Sequence, residues 1–154
     1  MNNVTFVKPT VLDIPQMQDL VKAEVENGNI LLRTADEMAT NIRSYILAKI
    51  DDKIVGFCAL HIYSQTLAEI RSLIVSKDYR KNGIGSQLVQ NCVNEGKRYN
   101  LKEVLALTYH KELFEHLGFI VIQKESIPDH KIWADCIRCK HFPICDEIAV
   151  TIQI

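Results

Sequence analysis

The chain has 154 residues, 47% of them apolar, which is the size of an ordinary domain with enough apolar side chains to bury a core, and which excludes a disordered segment. Its formal net charge of −1 removes the electrostatic case for nucleic acid or an anionic membrane surface, leaving a small-molecule partner as the default. No apolar run approaches the ~20 residues that span a bilayer. Met1-Asn2-Asn3 leads into Val4-Thr5-Phe6-Val7 without a basic and apolar leader, so a soluble, cytoplasmic protein is expected.

Val4 to Val7 reads as a first strand. Asp13, with Gln16 three residues on, is a candidate N-cap for a helix whose stripe is Ile14, Met17, Leu20, Val21 and Val25. Asn27-Gly28-Asn29 ends that helix, and Thr34 with Glu37 forms a second capping box ahead of Met38, Ile42 and Ile46. Tyr45 to Ile50 and Ile54 to Tyr63 are β-branched and aromatic around Asp51-Asp52-Lys53, a hairpin pattern. After Ser64-Gln65-Thr66 comes a further strand, Leu67 to Ser76. Ile84, Leu88, Cys92 and Tyr99 share the face of a later helix. Val104 to Thr108 is a short strand, and Lys111 to Leu117 a short helix with Gly118 as its C-cap. Phe119 to Lys124 and Ile148 to Ile154 are the last strands, so residues 1–154 are expected to form a single domain. Five cysteines without a secretion signal favour free thiols, and Cys58 and Cys92 lie on apolar faces that read as core.

The most specific signal is Arg80-Lys81-Asn82-Gly83-Ile84-Gly85-Ser86, placed between an apolar strand and an amphipathic helix. A helix N-terminus presents unpaired N–H groups and the positive end of the macrodipole, and glycines let a bulky anion approach the backbone. Such a loop suits a phosphate or pyrophosphate. No Gly-Lys-Ser/Thr closes it, and it lacks the three glycines of the dinucleotide fingerprint. Its form, Arg-x-x-Gly-x-Gly, resembles the pyrophosphate loop with which the GNAT superfamily of N-acetyltransferases grips coenzyme A. The order β-α-α-β-β-β-α-β-α-β is similar to that fold as well. The resemblance implies an α/β (α+β) domain: a mixed, mostly antiparallel sheet flanked by helices, with acetyl-CoA, the co-substrate, lying between two splayed parallel strands. Here those strands would be Leu67 to Ser76 and Val104 to Thr108, with backbone contacts to the pantetheine arm from Leu73, Ile74 and Val75 and pyrophosphate contacts from Arg80 to Ser86.

Alternation along the first of those strands puts Glu69, Arg71, Leu73 and Val75 on one face and Ile70, Ser72 and Ile74 on the other. Glu69 and Arg71 by themselves suggest an ordinary ion pair. Beside a coenzyme A loop, a carboxylate has a second use, because an ammonium must lose a proton before it attacks a thioester. Glu69 stands where many superfamily members carry that base, and the neighbouring Arg71 favours a relay through water. At the position where the family supplies a tyrosine as general acid, this chain has Phe114, which leaves Tyr109, His110 or unassisted departure of a thiolate whose conjugate acid has a pKa of about 8.5. His116 is expected on the exposed face of the short helix, without a catalytic role.

Three blocks narrow the resemblance: Gly28 to Thr34, Leu67 to Leu73, and the tail from Lys131-Ile132-Trp133 through Cys145-Asp146-Glu147-Ile148-Ala149. They are similar to the short bacterial N-acetylglutamate synthases, with Leu32 where that group often has proline and Ile74 where alanine is common. This implies acetyl transfer from acetyl-CoA to the α-amino group of L-glutamate, the entry step of arginine biosynthesis, with a homodimer as the candidate assembly. Two carboxylates on the acceptor call for cations, and Arg33, Arg71 and Lys131 are the candidates. A solvated loop arginine explains Arg33 equally well. Other readings are an acetyltransferase for a protein N-terminus or a polyamine, and a noncatalytic acetyl-CoA sensor. In the tail, Cys136, Cys139, His141 and Cys145 are enough soft ligands for a tetrahedral zinc, but the usual second, distant pair is missing, and reduced buried thiols account for them without a metal.

Overall fold

The computed structural model describes residues 3–26, 33–123, 126–127 and 147–154. Strand β1 (Thr5–Val7) is followed by helices α1 (Ile14–Glu26) and α2 (Ala35–Thr40), then by strands β2 (Tyr45–Ile50), β3 (Lys53–Ile62) and β4 (Leu67–Val75). Helix α3 (Ile84–Arg98) leads to β5 (Glu103–Thr108), α4 (Lys111–Glu115), β6 (Ile120–Ile122) and β7 (Ile148–Gln153). The seven strands form one sheet in the order β1-β2-β3-β4-β5-β7-β6. All neighbouring pairs are antiparallel except β4 and β5, which run parallel.

Local chemistry explains most of these boundaries. The Asp51-Asp52 turn holds both residues at positive φ, 50° and 66°, the backbone whose twist matches a two-residue hairpin. Thr34 accepts from Glu37 N while Glu37 accepts from Thr34 N, so the expected capping box starts α2. The first helix is capped differently from expectation. Thr10 is the N-cap and Asp13 the reciprocal member, because a short 3-10 turn at Val11–Asp13 precedes α1. Helix α2 stops at Thr40, so Ile42 falls in a 3-10 turn and Ile46 on β2 rather than on the helical stripe. Tyr99 was expected on the apolar face of α3, but it lies just beyond the helix and is 61% exposed. Gly118, at φ 97°, follows α4 as its C-terminal turn.

Two main apolar layers sandwich the sheet. One face packs Ala48, Cys58, Ile70, Val104 and Val150 against Leu88, Val89 and Cys92 of α3. On the other, Leu47, Phe57 and Ile74 pack against Met17 of α1 and Met38 of α2. Cys58 and Cys92 are free, fully buried thiols, their Sγ atoms 3.1 Å apart within the first layer. Burying some thirty apolar side chains in this way is the main favourable term in folding.

Candidate active site

The site forms where β4 parts from its neighbours. Its pairing with β5 begins at Leu67↔Glu103 and ends at Ile70↔Ala106, although β4 continues to Val75 and β5 to Thr108. Beyond Ile70, β5 follows β7 while β4 follows β3, so a wedge opens between parallel strands. This is the splay that the resemblance to the GNAT fold implies. Among the described residues, β4 from Arg71 to Val75 pairs on the β3 side only, so its other edge can accept a polar, extended ligand.

A bulge sets the direction of the side chains along β4. Ala59 pairs with Arg71 and Phe57 with Ile74, so Ser72 and Leu73 together face Cys58. Ser72 takes up the extra residue at φ 56°, a backbone region uncommon for a serine. The alternation therefore slips, which corrects the expected faces. Ala68 and Ile70 face the α3 layer, and beyond the bulge Leu73 and Val75 do so, whereas Ile74 turns to the α1 and α2 layer. Glu69 and Arg71 do not share a face with Leu73 and Val75. Close approach fixes the opposite strand as well: a Cβ on Gly56 would lie 2.8 Å from the Ile74 carbonyl oxygen, so only glycine fits without moving the backbone.

At the open end of the wedge, Arg80, Lys81, Asn82 and Gly83 are exposed, Gly85 and Ser86 are half-buried, and Ile84 anchors the helix start in the core. Lys81 and Gly83 both have positive φ, 68° and 80°, which curls the backbone into an anion-binding form. Gly83 is the N-cap of α3 and no side chain caps it, so the N–H groups of the first turn point outward at the positive helix end. Arg80 Nε donates to the Val75 carbonyl at 3.1 Å, tying the loop to the end of β4. Wedge and loop thus fit a ligand with an amide-bearing arm and a pyrophosphate.

On the other face of β4, Glu69 is 3% exposed. Its Oε1 accepts from Arg71 Nε at 2.9 Å and from the Tyr63 hydroxyl at 2.8 Å. Arg71 also donates to the Tyr63 oxygen at 2.6 Å, closing a three-membered ring of hydrogen bonds. Burial raises the pKa of the Tyr63 hydroxyl far above the ordinary tyrosine range, and Glu69 adds to the effect while Arg71 opposes it. Tyr63 therefore stays neutral and donates to the carboxylate. His61, the cross-strand neighbour of Glu69, stacks edge-on against Tyr63 with ring centres 4.7 Å apart. Sequence pattern alone does not single out Tyr63. The available signal was the alternation Ala59, His61, Tyr63, which brings a phenol back over Glu69 across the Ser64-Gln65-Thr66 turn.

Arg33 is half-buried and lines a small pocket with Gln18, Met38, Tyr45, Phe57 and Ser72. The pocket adjoins the β4 bulge, so α1, α2 and the splayed strand converge there. Phe114 is buried and packs edge-on against Phe119 at 5.2 Å, which makes it a core residue. Tyr109 and His110 follow the end of β5, the first half-buried and the second exposed, and His116 is exposed as expected. Lys131, Trp133, Cys136, Cys139, His141 and Cys145 lie outside the described residues.

The Acetyltransferase (GNAT) family profile matches residues 14–119, from α1 through the glycine loop to α4. The chain belongs to the GNAT acetyltransferase family. An uncharacterized N-acetyltransferase of Chlorobaculum tepidum is 33% identical over 138 residues, covering 90% of this chain and 88% of the relative. An amino-acid acetyltransferase of Aeromonas salmonicida is 26% identical over 77% of this chain, which spans 27% of that longer protein. Among solved structures, the N-acetylglutamate synthase of Neisseria gonorrhoeae, complexed with coenzyme A and N-acetyl-glutamate, superposes with a TM-score of 0.86 at 20% identity, covering 99% of this chain and 35% of that one. Rv2747 of Mycobacterium tuberculosis, in complex with CoA and NLQ, does so with a TM-score of 0.80 at 22% identity, with 97% and 99% covered. These superpositions establish the GNAT fold for this chain. Among the described residues, no helix is long and apolar enough to cross a membrane.

Proposed function

We propose that this GNAT acetyltransferase moves the acetyl group of acetyl-CoA to the α-amino group of L-glutamate, as an amino-acid N-acetyltransferase of arginine biosynthesis in the cytoplasm. The observation that carries the reading is that β4 bears both the buried, hydrogen-bonded Glu69 and, three residues on beside the wedge, Ser72 of the pocket that Arg33 lines. Acetyl-CoA is the co-substrate. Its pyrophosphate rests on the loop from Arg80 to Ser86, and its pantetheine arm pairs with the backbone of Leu73, Ile74 and Val75.

The acceptor arrives as an ammonium, and Glu69 takes a proton from it, directly or through one water. The freed amine lone pair attacks the thioester carbon and the C–N bond forms; the nitrogen then gives up its second surplus proton to solvent, the C–S bond breaks and coenzyme A leaves as thiolate. That thiolate then takes a proton from solvent or from a nearby donor such as Tyr109 or His110, since Phe114 has none to give. Arg71 and Tyr63 hold the Glu69 carboxylate in place, while Arg33, with Lys131 from the tail, pairs with the acceptor's carboxylates. The amino-acid acetyltransferases among the relatives support an amino-acid acceptor. The guanidinium of Arg33, in a lining without carboxylates among the described residues, disfavours a polyamine, which would require carboxylates there.

Thiol release from acetyl-CoA in the presence of L-glutamate tests this reading. Glu69→Gln is expected to lower turnover at least a hundredfold with acetyl-CoA affinity unchanged, the usual contribution of a positioned base. Unchanged turnover in Glu69→Gln would remove Glu69 as the base.

A further inference from the structure

The pocket beside the β4 bulge contains a phenol that the described structure leaves unanswered. Tyr45, on β2, is only 2% exposed and its ring is fixed edge-on against Phe57 at 5.8 Å, and among the described residues its hydroxyl has no hydrogen-bond partner. Its oxygen is not one of the fully buried side-chain atoms left without a partner, so the hydroxyl keeps access to the pocket and can donate to a ligand there. Arg33 shares the same pocket, and Val21, Met38 and Phe57 give it apolar walls. We infer that Tyr45 and Arg33 form the subsite for the distal carboxylate of the acceptor, with the Tyr45 hydroxyl as the hydrogen-bond donor that sets specificity.

The inference rests on the proposed acceptor and adds the group that selects it. Burial raises the Tyr45 pKa, while Arg33 and then Arg71 pull it down and Glu37 pushes it up, so both guanidiniums lie within electrostatic reach of the phenol. A neutral hydroxyl and a guanidinium facing one pocket suit an acceptor-only oxygen pair, which is what a carboxylate presents. An amide would turn N–H groups toward Arg33, and a cationic side chain would meet like charge. The apolar walls suit a short methylene chain.

Tyr45→Phe removes one oxygen and keeps the ring packed on Phe57, so the fold is preserved. We expect its KM for L-glutamate to rise about tenfold or more, the range for a hydrogen bond to a charged group, with acetyl-CoA affinity and thiol release with L-2-aminobutyrate, which lacks the distal carboxylate, unchanged. Glutarate, a dicarboxylate without an amine, provides a readout independent of the acceptor. It should compete with whichever amine the wild type acetylates, and the competition should weaken about tenfold in Tyr45→Phe. Should the wild type favour an amine other than glutamate while glutarate still competes through Tyr45, the subsite stands and the glutamate reading falls. A Tyr45→Phe variant with wild-type KM, or a wild type indifferent to glutarate, overturns the subsite.

Discussion

Replacing Arg71 with methionine separates a neutral fold support from a charge that the site depends on. Arg71 Nε lies 2.9 Å from Glu69 Oε1, and the two side chains are 14% and 4% exposed. Screening by solvent is weak at that depth. Removing one member of such a pair leaves a buried, uncompensated charge, which costs about 3–5 kcal/mol. Methionine keeps the length of the stem, so lost packing contributes little. At about 2–4 °C per kcal/mol for a domain of this size, the melting temperature should fall by about 6–20 °C. Urea unfolding gives the free energy and thermal unfolding the shift. The double variant Glu69→Gln/Arg71→Met, which has no orphaned charge, should be more stable than Arg71→Met alone. An Arg71→Met protein within about 1 kcal/mol of the wild type, or a double variant less stable than Arg71→Met, would refute the buried-charge reasoning.

Tyr63→Phe removes both the donor to Glu69 and the acceptor for Arg71, and kcat/KM for the acceptor should drop about tenfold while acetyl-CoA affinity holds, as measured by thiol release and calorimetry. Gly56→Ala should destabilise by about 1–3 kcal/mol in urea unfolding and weaken acetyl-CoA binding, because its Cβ would press on the Ile74 carbonyl at the wedge. Burial raises the Tyr63 and Tyr45 pKa values above the ordinary 10.0, and the Cys92 hydrogen bond with burial raises Cys58 above 9.0. Above those ordinary values the unfolded chain releases protons that the folded chain retains. Stability is therefore fully present below about pH 9 and declines above it, by up to about 1.4 kcal/mol per pH unit for each such group. Urea unfolding from pH 8 to 11 should show that decline, and Tyr45→Phe should make it shallower.

Several parts of this architecture were readable in the sequence because their chemistry is local. The Thr34 and Glu37 capping box, the Asp51-Asp52 hairpin and the Arg80 to Ser86 loop each depend on residues within a few positions of one another. The splay followed from the resemblance to the GNAT fold, and the ion pair from its i,i+2 spacing. The bulge at Ser72 did not show, because serine carries no preference for positive φ and the register shift appears only in the pairing with Phe57 to Ala59 on another strand. That slip misassigned Leu73 and Val75. Tyr63 does not stand out in the sequence for a related reason: its hydrogen-bond partners are brought in across a turn, as the residues around Tyr45 are brought in from other elements. Tyr99 satisfied the helical period, but Asn100, at φ 62°, turns the chain beyond the end of α3.

The central claim is the identity of the acceptor. The most direct measurement is thiol release from acetyl-CoA by the purified protein against each standard amino acid and a short series of polyamines, with the acetylated product identified by mass. Selective release with L-glutamate, giving N-acetyl-L-glutamate, is the predicted result. Release with a polyamine or with another amino acid, and none with L-glutamate, would contradict it.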